Sequence, residues 1–433
     1  MTNNRQVWER KDTFALLGIF LGALLLRVAF VLVVRPVPVS DFGWYYTHAL
    51  GIANGFGYTT NGYLTAYWPP GWPYFLAGII RIFGPSVVAA TIVQAVLNAL
   101  TAGVVFLTGR TVAGRAAGIG GGIAYALLPS AIEWCSTLAS EPLYTFLWAV
   151  VTYIWVSQST KKLGWYAFSG VLLGAAALVR PSALLFWVIL LVYLLTLKTE
   201  RRYPARIAAV MAVTVGYLLL VVTPVIVRDY HIFGTLVVIS NNGGISLYQG
   251  NNAASTSGDT ELNDPKLQAM IDDPRTEVAA NNIASGLAVQ YIKSHPLHEV
   301  WLSIRKVKAL YADDALVVHW TFGALQPPPD DRTMSSIVRF NNYTYFATML
   351  FALLGIALCV IRKWSDTENQ GWRLLVGMIV YNTLIFAMIF GLDRYRYPTM
   401  PYFAVFAGIG IAAALGYVRN GFAVRRVRTH SGA

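Results

Sequence analysis

The 433-residue sequence is poor in charge: Asp, Glu, Lys and Arg together make up 12% of it, against about 25% in ordinary soluble domains. With 56% hydrophobic residues and a mean hydropathy of +0.52, that shortage argues against a water-soluble globular enzyme. Cysteine is scarcer still. Cys135 and Cys359 both lie in apolar runs and form no CxxC, which excludes a disulfide scaffold and a zinc cluster. Among the six histidines, His295, His298 and His319 have no metal-ligand spacing, so neither a metal nor a cofactor is expected. No GxGxxG, Walker A or GxSxG elbow stands in a meaningful context, and no internal repeat or low-complexity tract is present. Acidic residues are outnumbered, 21 to 33, for a net charge of +12. In a soluble protein that excess would suggest nucleic acid; in a membrane protein it sets orientation.

What the chain has in abundance is apolar length. Runs at 13–34, 86–108, 116–134, 142–158, 165–179, 183–197, 207–227, 345–361, 374–391 and 399–418 predict ten membrane helices. The pair 165–179 and 183–197 is short and is split by Arg180-Pro181. The first run has the length of a secretory signal, but no small-residue cleavage site follows and further spans do, so a retained anchor is expected. An even number of spans puts both termini on one side. With that side cytoplasmic, its segments hold 18 basic residues (Arg5, Arg10, Lys11, Arg110, Arg115, Lys161, Lys162, Lys198, Arg201, Arg202, Arg206, Arg362, Lys363, Arg373, Arg419, Arg425, Arg426, Arg428). Against them stand five acidic ones: Glu9, Asp12, Glu200, Asp366 and Glu368. The local net charge is +13, and the rest of the chain nets −1. The positive-inside rule accounts for the whole excess, and a nucleic-acid partner is not expected.

The expected fold is an all-α polytopic membrane protein of about ten transmembrane helices with a small extracytoplasmic domain. Three units are expected: 1–227 with a first extracytoplasmic loop at 35–85, an extracytoplasmic segment at 228–343, and closing helices at 344–433 with a basic cytoplasmic tail near anionic lipid. Within the second unit a helix is expected over 276–312, broken at His295-Pro296.

Several residues could carry chemistry. A helix starting after Ser40 would place Asp41, Tyr45 and His48 at i, i+4 and i+7 on one face. An acid at the membrane boundary beside aromatics suits chemistry on a lipid headgroup; it also suits a first-turn carboxylate inside an interfacial aromatic belt. Glu141 opens the fourth span, either lining a polar cavity or occupying a first turn whose Pro142 suits N1. Arg180, Arg228, Arg394 and Arg396 fall at similar depth on the same side. As a set they lean towards an anionic ligand such as phosphate; singly they suit snorkelling or pairing with Asp229 and Asp393. The Trp68–Pro73 segment reads as a rigid re-entrant turn or an interfacial connector. The stretch 241–252 offers backbone donors to a sugar or phosphate but is read as a plain loop.

In order along the chain, SDFGWYYTHALGIANG, YWPPGWPYFLAGIIRIFG, SEPLYTFL, LGAAALVRPSALL, PVIVRDYHIFG and DRYRYPTMPYFAVFAGIG resemble the GT-C membrane glycosyltransferases. The likeness is to the protein O-mannosyltransferase and aminoarabinose-transferase type. It implies transfer of a sugar from a polyprenyl-phosphate donor to a glycan, lipid or protein acceptor at the extracytoplasmic face of the cell membrane. It also implies that Asp41 is catalytic, that Glu141 supports the site, and that Arg180, Arg228, Arg394 and Arg396 lie near the donor phosphate. Tyr45 and His48 share the Asp41 face and are expected to line the substrate. One feature departs from the aminoarabinose type: Tyr67-Trp68 stand where that type has a lysine before the proline turn. Two rival readings remain, a transporter or flippase of a lipid-linked or amphipathic substrate and a non-catalytic scaffold.

Overall fold

In the computed structural model, residues 8–157, 162–258, 264–362 and 370–430 are described, with side chains as far as Gly416. Of the charges assigned to the cytoplasmic side, Arg5, Lys161, Lys363, Asp366 and Glu368 lie outside the described residues, as do the side chains of Arg419, Arg425, Arg426 and Arg428.

The chain opens with α1 (Arg10–Val33) and α2 (Ser40–Ala53), then a small antiparallel hairpin, β1 (Thr59–Thr60) with β2 (Tyr63–Leu64). There follow α3 (Gly71–Phe83), α4 (Val87–Ala113), α5 (Arg115–Leu127), α6 (Pro129–Glu133), α7 (Glu141–Val156) and α8 (Leu163–Val179). A 3-10 turn at Pro181–Leu185 leads to α9 (Phe186–Thr196), α10 (Lys198–Arg201) and the long α11 (Pro204–Phe233). Between the long helices come α12 (Gly243–Gly250), α13 (Pro265–Asp272), α14 (Glu277–Ser294), α15 (Pro296–Leu310) and α16 (Leu316–Phe322). The chain closes with α17 (Asp331–Ile361), α18 (Trp372–Met388), the one-turn α19 (Asp393–Arg396) and α20 (Met400–His430).

Every apolar run is helical. Among the described residues, five helices are long and apolar enough to cross a membrane: α1, α4, α11, α17 and the 393–416 stretch that includes the start of α20. The other five runs fold as α5, α7, α8, α9 and α18, which hold 11 to 17 residues, fewer than the roughly 20 of a full span. Proline explains most of the shortening. Leu128 and Arg180 take extended conformations before Pro129 and Pro181, as the residue ahead of a proline does.

The helices α4, α5 and α20 make the core, with α1 and α17 outside them. The apolar window is 67% buried in α4 and 61% buried at 393–416, against 22%, 28% and 22% in α1, α11 and α17. The latter three present their apolar flanks outward, where lipid would lie. Close approach of α5 to α20 depends on Gly408: a Cβ there would stand 2.2 Å from the Ala117 carbonyl oxygen. Small residues allow such backbone contact between membrane helices.

One charge lies deep in this core. Arg27 of α1 is fully buried and donates to Asn98 Oδ1 (2.9 Å), Ala126 O (2.9 Å), Tyr125 O (3.1 Å) and Ala23 O (3.2 Å). The reason lies in α5. The Tyr125 carbonyl would accept from the amide four residues on, but that residue is Pro129, which has no N–H. The Leu128 N–H reaches that carbonyl only at 3.4 Å, and Arg27 adds a donor across the helix interface. Arg27→Met should therefore cost about 3 kcal/mol, since each buried polar group left unpaired costs about 1–3 kcal/mol. Thermal unfolding in micelles would check this; an unchanged midpoint would mean that α5 caps itself.

On the side assigned to the cytoplasm, Asp12 is buried between Arg110 (2.9 Å) and Arg115 (2.6 Å), and Arg115 also reaches Glu9 (2.9 Å). These four residues were placed on one side by charge counting, and the fold gathers them there. On the other side, the 241–252 stretch is not a plain loop. It contains α12, which packs on α14, with the Gly244 N–H donating to Asn281 Oδ1 at 2.7 Å. The composition of the stretch favours turns, and this tertiary partner overrides it. The Trp68–Pro73 segment leads directly into α3. Trp72 is fully buried and donates its indole N–H to Leu138 O at 2.9 Å. The helix expected over 276–312 is broken at His295-Pro296 into α14 and α15.

Candidate active site

Four chain segments converge at one end of the bundle, each delivering one charged side chain. Asp41 enters in the first turn of α2, just after Ser40, whose φ of +52° lies in the left-handed region. Such a conformation is sparsely populated for a non-glycine residue, costs about 1–3 kcal/mol and concentrates at functional sites. Glu141 is the first residue of α7, where the positive end of the helix dipole favours a carboxylate. Arg180 ends α8, turned out of the helix by Pro181. Arg394 lies in α19, between α18 and α20.

Arg394 bridges the two carboxylates. Its Nη1 donates to Asp41 Oδ2 at 2.8 Å and its Nε donates to Glu141 Oε1. Arg180 Nη2 donates to the same Glu141 oxygen, and Arg180 Nε donates to Ser140 Oγ at 3.2 Å. The Glu141 side chain is fully buried, Arg394 and Arg180 are 7% and 13% exposed, and Asp41 is 26% exposed. Asp41 is thus the most accessible of the four, while Glu141 anchors both guanidiniums from beneath. The aromatic walls are close. The Arg394 guanidinium lies 5.4 Å from the Phe42 ring centroid and 5.9 Å from that of Trp134. The Arg180 guanidinium lies 5.4 Å from Tyr395 and 5.9 Å from Tyr144.

The cluster balances two cations with two anions, yet donor capacity remains. Arg180 Nη1 and Arg394 Nη2 have no protein acceptor among the described residues. Tyr45 lies beside the group, buried, with its ring edge to Trp68 at 6.1 Å. Burial, reinforced by the Asp41 charge, pushes its phenol well above the ordinary value, so Tyr45 stays a hydrogen-bond donor at neutral pH.

The other expected residues are placed elsewhere. His48 is stacked on Trp44 at 3.5 Å and faces the hairpin. Its Nδ1 lies 2.8 Å from the Trp44 carbonyl, which can only accept, so Nδ1 carries the proton. Burial holds the imidazole neutral by lowering its pKa; Nε2 then accepts from the Thr60 hydroxyl at 2.9 Å. Arg228 pairs with Asp229 at 2.6 Å and donates to Thr65 O at 3.2 Å and Tyr58 O at 3.4 Å, which fastens the first loop. Arg396 is fully buried. It donates to Asp314 Oδ1 (2.7 Å) and to the carbonyls of Leu310 and Asp313 (both 2.8 Å). Of the four arginines expected near an anion, Arg180 and Arg394 share Glu141, whereas Arg228 and Arg396 pair with Asp229 and Asp314. Neighbours in sequence, Arg394 and Arg396 project from α19 to different partners.

Glu277, at the start of α14, carried no sequence signal and proves central to the loop. It accepts from Thr65 Oγ1 and the Ala66 N–H (both 2.7 Å) and from Asn241 Nδ2 (3.0 Å). It thereby ties the segment between α11 and α17 to the turn that leads to Tyr67 and Trp68. Glu277→Ala leaves those donors unpaired. The Ala66 amide should then exchange with deuterium many-fold faster while α4 keeps its protection. Unchanged protection at Ala66 would show that the turn holds without Glu277. Among the described residues, no group of three or more His, Cys, Asp or Glu could hold a metal ion.

Comparison with known proteins supports the fold. Residues 68–227 match the profile of the dolichyl-phosphate-mannose-protein mannosyltransferase family. That region includes Glu141 and Arg180 but neither Asp41 nor Arg394. No curated protein sequence matches the chain. Among solved structures, the chain is similar to the oligosaccharyltransferase AglB of Archaeoglobus fulgidus in complex with an inhibitory peptide and a dolichol-phosphate. The TM-score is 0.60 at 12% identity, covering 97% of this chain and 52% of that one. The apo form of the Archaeoglobus fulgidus enzyme gives a TM-score of 0.58 at 12% identity, covering 95% of this chain and 52% of that one. ArnT of Cupriavidus metallidurans bound to undecaprenyl phosphate gives 0.47 at 16% identity, covering 92% of this chain and 77% of that one. The chain spans about half the length of the archaeal structures it matches. The fold is that of the GT-C membrane glycosyltransferases.

Proposed function

We propose that this chain, built on a GT-C fold, transfers a sugar from a polyprenyl-phosphate donor to a hydroxyl acceptor. The observation that carries the reading is the Asp41–Arg394–Glu141–Arg180 constellation: a partly exposed carboxylate beside two guanidiniums at one end of a membrane bundle. The charge imbalance between the two sides supports an extracytoplasmic position for that end and cytoplasmic termini. The archaeal relative in complex with dolichol-phosphate supports a lipid-phosphate donor.

The chemistry follows from the residues. The donor's tail stays in the bilayer while its glycosyl phosphate meets the free nitrogens of Arg180 and Arg394. The acceptor oxygen attacks the anomeric carbon, a C–O bond forms, and the bond from that carbon to the phosphate oxygen breaks. The phosphate leaves with the electron pair, and the guanidiniums stabilise the charge developing on it. Asp41 takes the acceptor's proton. Attack opposite the leaving phosphate in one displacement inverts the anomeric centre. Glu141 contacts no substrate in this scheme and positions both arginines.

The test is purified protein in nanodiscs, supplied with candidate polyprenyl-phosphate sugars and hydroxyl acceptors and followed by mass spectrometry. A new glycosidic product together with free polyprenyl phosphate is expected. Movement of the intact donor across sealed vesicles, with no new bond, would replace this reading by a transporter.

A further inference from the structure

Helix α15 has two apolar faces, and the bundle covers only one. Leu302, Lys306 and Leu310 are buried. On the opposite side Leu297, Val300, Trp301 and Ile304 are 86%, 62%, 48% and 64% exposed. Their spacing of three and four residues makes one continuous stripe. A stripe of four large apolar side chains on a helix marks a surface that meets something other than water.

The position of α15 identifies what it meets. Lys306 Nζ donates to Asn251 Oδ1 at 2.6 Å and to the last carbonyl of α18, Met388 O, at 3.4 Å. A Cβ on Gly391 would stand 1.9 Å from Lys306 O, so α15 is pressed against the chain where α18 ends. The helix α18 has its own exposed apolar stripe, Val380, Leu384 and Met388 at four-residue spacing, which runs up to that junction. The α15 stripe thus lies near the end of the exposed apolar flank of α18. Its chemistry is that of a membrane boundary. The Arg305 guanidinium lies 4.5 Å from the Trp301 ring centroid, exposed Lys308 follows one turn beyond Ile304, and Tyr291 is stacked on His295 at 4.4 Å. Tryptophan and tyrosine gather at the level of lipid headgroups, and basic side chains beside an inserted apolar face meet lipid phosphates.

We propose that α15 is an interfacial helix. Leu297, Val300, Trp301 and Ile304 lie among the acyl chains of the leaflet on the Asp41 side, with Arg305 and Lys308 at its phosphates. This inference stands on the fold alone and does not require glycosyl transfer.

The test places a bimane label at Ile304→Cys, with Lys266→Cys on exposed α13 as the comparison. Cys135 and Cys359 are buried and stay in place. The full chain is reconstituted in nanodiscs of phosphatidylglycerol and phosphatidylethanolamine. Doxyl-lipid should quench the Ile304 label several-fold more than the Lys266 label, most strongly with doxyl near the headgroup, and aqueous iodide should spare it. Iodide quenching without doxyl quenching would put the face in water and overturn the proposal. Shielding from both quenchers would mean that protein covers the face, and would overturn it equally.

Discussion

Asp41→Asn is expected to lower the transfer rate by about 10²–10⁴-fold, the contribution of a positioned general base, with little loss of folded protein. Asparagine matches aspartate in size and still presents an oxygen to Arg394 Nη1, which donates to Asp41 at 2.8 Å. Arg394 also keeps its bond to Glu141, so the guanidinium is not released. What the variant loses is the capacity to accept a proton. The measurement is the initial rate of polyprenyl-phosphate release by purified protein in nanodiscs, alongside donor binding and thermal unfolding. Wild-type turnover by the asparagine variant would remove Asp41 from the reaction. Loss of donor binding instead of turnover would reassign it to recognition.

The second large effect is on stability. Glu141→Gln should cost about 3–5 kcal/mol, the penalty for breaking a buried ion pair by deleting one partner. Both Arg180 and Arg394 donate to one oxygen of this fully buried side chain. Neutralising it leaves Asp41 paired with Arg394 and strands the Arg180 guanidinium. Activity should fall too, because both arginines lose their anchor. The two effects are separable: Glu141→Gln combined with Arg180→Met removes the unmatched charge and should recover part of the lost stability, without recovering transfer. Denaturant unfolding in micelles reads the stability, and the same nanodisc assay reads the rate. A double variant no more stable than Glu141→Gln alone would show that Arg180 is not the charge left uncompensated.

Much of this was legible along the chain because the rules involved are local. Proline at 129, 142, 181 and 296 marks helix breaks or starts that the fold respects. The apolar runs read from composition fold as helices among the described residues, but the apolar helix α3 was not among them. Asp41 and Glu141 were visible because an acid at the mouth of an apolar segment is costly without a purpose. The arginines show where local reading stops. Arg180, Arg228, Arg394 and Arg396 looked equivalent by side and depth, yet Arg180 and Arg394 share Glu141 while Arg228 and Arg396 pair with Asp229 and Asp314. The stretch 241–252 read as a loop, because nothing in its own residues announces Asn281 on α14.

The sequence by itself determined that the chain is a helical membrane protein, where its basic residues concentrate, and which acids flank its apolar segments. Composition, periodicity and charge counts suffice for that, since each acts within a few residues or sums over a whole side. Only the tertiary structure decided which charges meet. Arg394 reaches Asp41 across 353 positions and Glu141 across 253, and Glu277 reaches Thr65 across 212. Such pairs form because an apolar bundle makes an unpaired charge expensive. The packing of the helices, which no short window of sequence contains, selects the partner.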